Sequence, residues 1–143
     1  MSIILDIKDQ FITKEAFEVY SACMYKPTWE LFYKRASALV NDENISVFGY
    51  CEYNNILGII SIKQHNDQYY EIYGIAVNPY NRRKGIGKRL VQYVLDNLCS
   101  YMLYAETDDA SIGFYKQLGF KIEEYFKKYG NDIYKRYKCT IYK

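Results

Sequence analysis

A basic segment punctuated by glycine occupies residues 82–87 (RRKGIG), between a predicted strand and a predicted helix. Gly85 and Gly87 allow a backbone to approach an anion closely because neither carries a Cβ, and the unpaired N–H groups of a helix's first turn point outward. The basic side chains of this segment and those of Lys88 and Arg89 oppose the helix dipole unless an anion binds there. The pattern therefore predicts a phosphate site, and its charge suits a diphosphate better than a single phosphate.

The two common nucleotide-binding motifs fit this segment poorly. A Walker loop needs a hydroxyl residue after its glycine and lysine, but Gly87 is followed by Lys88 and Arg89. A dinucleotide fingerprint needs a third glycine where this sequence has Leu90, and no acidic residue follows a second strand at the expected place. A plain solvated helix start is the remaining alternative, and the clustered cations disfavour it.

The segment resembles the pyrophosphate-binding signature R/Q-x-x-G-x-G/A of the GNAT superfamily of acyl-CoA-dependent N-acyltransferases. The preceding residues 75–79 (IAVNP) look like the fourth strand of that family and its turn. A second block follows in the family's order and spacing, with Phe114 and Tyr115 ahead of residues 118–120 (LGF). Together the two blocks span most of residues 69–120, whereas the resemblance is weak before Ile45.

The resemblance implies an acetyl-CoA donor and a set of residues that hold it. Backbone groups at residues 75–77 would line the pantetheine arm like an added strand. The implied cofactor contacts are Ile75, Ala76, Val77, Arg82, Arg83, Lys84, Gly85, Ile86, Gly87, Lys88, Asp109 and Tyr115. The family often has asparagine where Asp109 stands, and a carboxylate at that position would repel phosphate.

The same resemblance implies two catalytic side chains. An amine must lose a proton before it attacks a thioester, and Glu71 occupies the position of the glutamate base in the histone-acetylating members. The alternative is a solvent-facing Glu71, with a water chain leading to another base. Tyr115 matches the family tyrosine whose hydroxyl lies near the CoA sulfur and protonates the departing thiolate. Its alternative is an ordinary place in the core.

Two further residues near the predicted cleft carry expectations. Gly74 lies inside a predicted strand, which indicates either a bulge or the close approach of a bulky neighbour. By the family resemblance, a bulge here would free the Ile75 N–H to polarise the thioester carbonyl. His65, the only histidine, is expected to be a solvated residue of a hairpin turn, although an imidazole could in principle act as a base.

Hydrophobic periodicity and turn signals predict an α/β protein with a mixed sheet, in the order β-α-α-β-β-β-α-β-α-β-β. Strands are expected at residues 3–7, 45–53, 56–64, 69–77, 101–106, 121–126 and 133–141. Thr13 and Thr28 are expected to cap the first two helices, and the later helices are expected at residues 85–97 and 110–118. The Asn54-Asn55 pair predicts a two-residue hairpin turn. The βαβ unit around RRKGIG predicts two parallel central strands, and the GNAT resemblance implies that they splay apart.

Composition limits the remaining function classes. The 143 residues, 50% of them hydrophobic, can build one core, so a single N-acetyltransferase domain over residues 1–143 is expected. The chain shows neither a long apolar run nor a signal sequence, which predicts a cytoplasmic protein without a membrane partner. Four scattered cysteines indicate neither a disulfide framework nor zinc, and no other metal is indicated. A net charge of +2 does not support nucleic-acid binding, and a homodimer is left open.

These observations lead to one functional hypothesis and one alternative. The hypothesis is an N-acetyltransferase that passes an acetyl group from acetyl-CoA directly to a primary amine, without a covalent enzyme intermediate. The alternative is a non-catalytic acyl-CoA-binding or sensor module, which would keep RRKGIG and transfer nothing. The acceptor is not predicted. The aromatic-rich residues 11–44 are expected to shape its site, and small molecules, peptides and proteins all remain candidates.

Overall fold

A computed structural model describes residues 1–143 as a seven-stranded mixed sheet with two helices on each face. The strands are β1 (Ser2–Asp6), β2 (Ile45–Glu52), β3 (Asn55–Gln64), β4 (Tyr69–Val77), β5 (Met102–Thr107), β6 (Lys121–Tyr129) and β7 (Asp132–Tyr142). The helices are α1 (Lys14–Tyr20), α2 (Trp29–Asn41), α3 (Ile86–Asn97) and α4 (Ile112–Gln117), and short 3₁₀ turns occupy Lys8–Gln10, Ser21–Cys23 and Pro79–Asn81. This order confirms the predicted one. None of the helices combines the length and apolar character needed to cross a membrane.

Each face of the sheet carries its own hydrophobic core. On one face α3 and α4 pack against β2–β5 and β7, around Leu90, Val94 and Tyr115. On the other face α1 and α2 cover β2 and β3, around Phe11 and Phe32. The outer strands β5, β7 and β6 therefore have no helix over them on the α1/α2 side.

The strand order in the sheet is β1-β2-β3-β4-β5-β7-β6, and only β4 and β5 are parallel neighbours. They pair over three positions only, from Tyr69↔Met102 to Glu71↔Tyr104, although β4 continues to Val77. Beyond Glu71 the two strands separate, which confirms the expected splay. The gap that opens there exposes strand edges in the middle of the sheet.

A β-bulge in β4 coincides with the start of this gap. Ser61 pairs with Gly74, whereas Ile62 pairs with Ile72, so Tyr73 is the extra residue. Gly74 also lies under the Tyr20 ring, whose hydroxyl hydrogen-bonds the buried Ser61 hydroxyl at 2.7 Å. Both readings of Gly74 are therefore correct, because the strand bulges and a bulky neighbour occupies the space of a side chain.

Local signals placed most element boundaries within one or two residues. Thr13 and Thr28 cap α1 and α2 as expected, each accepting a bond from a backbone N–H at 3.1 Å. The β2–β3 turn is shifted by one residue from its predicted place. Glu52 pairs with Asn55, so the positive-φ positions are Tyr53 and Asn54. The chain thus uses a tyrosine in the left-handed region, which turn propensities do not indicate.

Gly74→Ala should destabilise the protein by about 1–3 kcal/mol, the usual cost of overpacking. A Cβ at this position would lie 2.2 Å from the Tyr20 hydroxyl oxygen. Gly113→Ala is the matched control, because no atom lies within 4 Å of its added Cβ and alanine favours the α4 helix by up to about 1 kcal/mol. Urea unfolding of both variants measures the difference. Equal midpoints would contradict the close approach of Tyr20 to Gly74.

Candidate active site

The turn that leads from β4 into α3 is built without a side-chain cap. Asn78 closes the first part by accepting a bond from the Tyr80 N–H at 3.0 Å. Arg83 and Gly85 then adopt positive φ, at 66° and 76°, and Gly85 is the N-cap residue of α3. Gly85 has no side chain to accept from the first-turn N–H groups, so those donors stay available to a ligand.

The space in front of this helix start is open. No protein atom lies within 4 Å of a Cβ built on Gly85, whereas a Cβ on Gly87 would lie 2.9 Å from the Phe114 ring. Gly85 therefore keeps the approach open, and Gly87 allows α3 to pack against α4. The four basic residues expected to bind phosphate form no ion pair with any carboxylate; they are Arg82, Arg83, Lys84 and Lys88.

Arg89 points away from this turn. Its guanidinium donates to the Tyr50 hydroxyl at 3.0 Å and lies over the Tyr50 ring. It therefore packs α3 against β2, so the positive charge of the turn comes from its neighbours. The sequence pattern alone predicts instead that Arg89 adds to the positive charge of the turn.

The free edge of β4 lies along the gap. The Asn78 N–H donates to the Leu57 carbonyl of β3 at 2.8 Å. Because backbone groups alternate along a strand, those of Ile75 and Val77 then face away from β3 and into the gap, while those of Ala76 face β3. Of the three residues expected to contact the cofactor arm, Ile75 and Val77 therefore present the unpaired edge.

Cys23 lies beside the N–H that was predicted to polarise the thioester carbonyl. The residue is exposed, but its sulfur is turned inward to within 3.2 Å of a Cβ built on Gly74. Burial raises the pKa of the Cys23 thiol to about 11, and the nearby Tyr20 hydroxyl and Ile75 N–H offset part of that rise. The thiol itself donates a hydrogen bond to the Tyr20 carbonyl at 3.2 Å. The α1–α2 connection thus places a neutral thiol next to the Ile75 donor.

Tyr115 lies on α4 and is 5% exposed. Its ring packs edge-on against Phe114 and Phe120, and its hydroxyl forms no hydrogen bond with another side chain. Burial raises the pKa of Tyr115 far above its usual value, with smaller effects from the nearby Cys139 and Cys23 thiols. The phenol is therefore protonated throughout the range in which enzymes work, as a proton donor must be.

Glu71 lies at the last paired position of β4 and β5, where the gap opens. Its side chain is 18% exposed, and the His65 Nε2 lies 2.7 Å from its Oε1. The Tyr104 hydroxyl donates to the same oxygen at 3.2 Å. Glu71 is therefore a carboxylate held by two hydrogen bonds where the gap begins. His65 is an exposed residue of the hairpin turn, as expected, and is also one of the partners of Glu71.

Asp109 lies in the turn before α4 and, unlike the predicted phosphate-binding residues, has a partner within the protein. Its Oδ1 accepts a hydrogen bond from the Tyr137 hydroxyl of β7. The carboxylate is thus engaged within the protein, and it would approach a diphosphate as a like charge. A contact between Asp109 and the cofactor remains a prediction from the resemblance.

The structure brings most of the predicted residues to one gap and adds three that the sequence pattern missed. The added residues are Cys23, His65 and Tyr104. One signal could have found His65, because it and Glu71 flank a short hairpin turn at diagonal positions on the same face. No such local signal exists for Cys23, whose place depends on the packing of the 3₁₀ turn Ser21–Cys23 over β4.

In this fold the strand that borders the split in the sheet leads directly into a helix start without a side-chain cap. The profile of the acetyltransferase (GNAT) family matches residues 9–120, and the chain belongs to that family. The family predicted from RRKGIG is thereby confirmed. GNAT acetyltransferases use acetyl-CoA as their acetyl donor.

Similar proteins carry different acceptors in their names. A mycothiol acetyltransferase from Corynebacterium efficiens is 31% identical over 77 residues, which are 50% of this chain and 26% of that protein, so the chain spans about a quarter of the relative's length. An aminoglycoside 6'-acetyltransferase type Ii superposes with a TM-score of 0.77 at 19% identity, over 98% of this chain and 96% of its own. A GNAT acetyltransferase from Elizabethkingia anophelis with acetyl-CoA bound superposes with a TM-score of 0.71 at 18% identity, over 99% and 97%.

Alkylation of Cys23 by iodoacetamide should be slow near neutral pH and should still accelerate at pH values where an ordinary cysteine levels off. The thiolate is the reactive form, and a pKa raised from 9.0 to about 11 leaves about a hundredfold less of it below pH 9. The rate is measured by mass spectrometry from about pH 7.5 to 9.5, with Cys23→Ser as the blank. A plateau near pH 9 would show that the sulfur is not buried against β4.

Proposed function

We propose that this chain is an N-acetyltransferase that transfers the acetyl group of acetyl-CoA directly to a primary amine of a small molecule, peptide or protein. The observation that carries the proposal is a convergence at one gap. Four features border the separation of β4 from β5. They are the uncapped start of α3, the unpaired edge of β4, the hydrogen-bonded Glu71 carboxylate and the protonated Tyr115 phenol. Four unpaired cysteines suit a reducing compartment, so we place the activity in the cytoplasm.

If acetyl-CoA is the donor, one group of residues at the gap would hold its diphosphate and another would hold its pantetheine arm. The uncapped N–H groups of α3 and the basic side chains of residues 82–84 would hold the diphosphate. The backbone edges of Ile75 and Val77 would pair with the amide groups of the pantetheine arm. When bound, acetyl-CoA supplies an activated acetyl carbon and a thiolate leaving group.

The protein supplies the proton transfers and the polarisation. Glu71 would accept the proton of the incoming ammonium group, directly or through water, on the oxygen that its two hydrogen bonds leave unused. The Ile75 N–H would donate to the carbonyl oxygen as negative charge builds on it, once the Cys23 sulfur gives way. Tyr115 would donate a proton to the departing sulfur.

The acceptor would reach the gap over the part of the sheet that α1 and α2 do not cover. Exposed aromatic side chains lie on α2 and just before it, at Tyr25, Trp29 and Tyr33, and Tyr73 is exposed on β4. Their rings could contact an alkyl chain or a cationic amine. The relatives named after mycothiol and an aminoglycoside support a small amine-bearing acceptor as the first class to screen.

Acetyl-CoA should stabilise the protein against heat, by about 2.7 kcal/mol at a hundred times its Kd. Lys84→Ala should weaken the affinity by about tenfold, because it removes a charge-assisted contact worth about 1.5 kcal/mol or more. Lys128→Ala removes the same charge from the distant β6–β7 hairpin and should leave the affinity unchanged. Thermal shift at increasing acetyl-CoA concentrations measures all three proteins. An absence of stabilisation in the parent would remove acetyl-CoA as the donor.

Tyr115→Phe should lower kcat by about a hundredfold while the affinity for acetyl-CoA stays the same, because only the proton-donating hydroxyl is lost. Tyr70→Phe is the matched control, since Tyr70 is a core tyrosine whose hydroxyl lies near Cys99 and Asp67 instead. The assay is transfer of labelled acetyl groups to a panel of polyamines, aminoglycosides, amino acids and peptides. Binding of acetyl-CoA without transfer to any amine would favour the non-catalytic acyl-CoA-binding module. A fully active Tyr115→Phe would show that another group protonates the thiolate.

A further inference from the structure

Two donors from different elements meet on one oxygen of Glu71. The His65 ring, which follows β3, places Nε2 2.7 Å from Oε1, and the Tyr104 hydroxyl on β5 lies 3.2 Å from the same atom. Neither side chain contacts Oε2. A carboxylate with both bonds on one oxygen has a fixed orientation and keeps the other oxygen for a third donor.

The two donors also support each other. The His65 and Tyr104 rings stack with centroids 5.8 Å apart and planes 24° apart. Burial and the adjacent Glu71 charge together raise the pKa of Tyr104 to about 12, so the hydroxyl keeps its proton. The Glu71 side chain is 18% exposed and the His65 side chain is 36% exposed, so the imidazole is the more solvent-accessible of the two.

We propose that His65 is a positioning residue for acetyl transfer, which together with Tyr104 clamps Glu71 so that Oε2 receives the proton of the acceptor amine. This inference rests on the proposed function, because it assigns a role within that reaction. The protons balance: the ammonium group gives one proton to the Glu71 carboxylate, which releases it to water, and the nitrogen loses a second proton as the amide forms, which replaces the one that Tyr115 gives to the departing sulfur. His65 changes no bond in this step.

The charge of His65 modulates the clamp. A protonated imidazole stabilises the Glu71 carboxylate and makes it a weaker base, whereas a neutral imidazole donates from Nε2 without that penalty. The other groups facing this cluster are Lys63 of β3, which pairs with Asp42, Tyr73 of β4, Glu106 of β5 and Lys138 of β7. Lys138 lies over the outer face of the Tyr104 ring, with Nζ 4.8 Å from the centroid. Among all of these only an imidazole ordinarily changes charge between about pH 5 and 8.

Three variants separate orientation from charge. His65→Ala removes the donor and should lower kcat by about tenfold or more at every pH. His65→Gln keeps an N–H donor without a titration, so it should retain most of the activity near pH 8. Tyr104→Phe keeps the ring under His65 and removes the second donor, and it should give an intermediate loss. All three should leave the stabilisation by acetyl-CoA unchanged, because none lies at the helix start that would hold the donor.

The decisive measurement is the ratio of the parent rate to the His65→Gln rate across pH 5.5–9, taken as kcat/KM for the acceptor. The ratio should rise with pH across that range, and a ratio that stays constant would mean that His65 is only structural. Because the chain has one histidine, NMR of the imidazole C–H protons checks the contact without any substrate. Glu71→Gln should shift those resonances, and unchanged resonances would overturn the clamp.

A parent that binds acetyl-CoA but acetylates no amine overturns the proposed function and the clamp with it, whereas an active parent matched by His65→Ala overturns the clamp alone.

Discussion

The separation of β4 from β5 after three paired positions is the constraint on which the rest of the structure depends. Parallel neighbours normally continue their hydrogen bonding along their common length, and here the bonds stop at Glu71. The bulge at Tyr73 and the Tyr20 ring over Gly74 hold β4 in a course that β5 does not follow. The unpaired edge that results is costly without a partner, and it gives the protein a place for an extended ligand inside its own sheet.

Electrostatics divides this gap into regions of different character. The α3 start combines free N–H groups with unpaired cations and suits an anion. The middle of the gap is apolar and neutral, because burial keeps both the Cys23 thiol and the Tyr115 phenol protonated. The opposite mouth carries the Glu71 carboxylate with its two donors. A donor with a charged end and a neutral reactive end matches that sequence of environments.

Much of this arrangement could be predicted from local sequence signals, and the remainder depends on packing. The bounds of β4 were predicted to the residue, because an apolar run ends at a strong Asn-Pro turn. Gly85 and Gly87 were placed correctly at the helix start for the same local reason. The hydrogen bonds of Arg89 with Tyr50 and of Asp109 with Tyr137 could not be predicted, since each joins segments that are far apart in the chain. The position of Cys23 over β4 belongs to the N-terminal third, where the family pattern gave least guidance.

Helix α3 begins at a glycine that cannot cap it, and this has a consequence for the amount of protein in a cell. A helix whose N-cap is glycine is less stable than one capped by a side-chain acceptor by about a few tenths of a kcal/mol, and a diphosphate seated on its first turn would offset that loss and add more stability. The metabolite would then act as a folding partner as well as a reactant. Under starvation for acetyl-CoA a larger fraction of the chains would be open to proteases, so turnover of the protein itself would follow the supply of its donor.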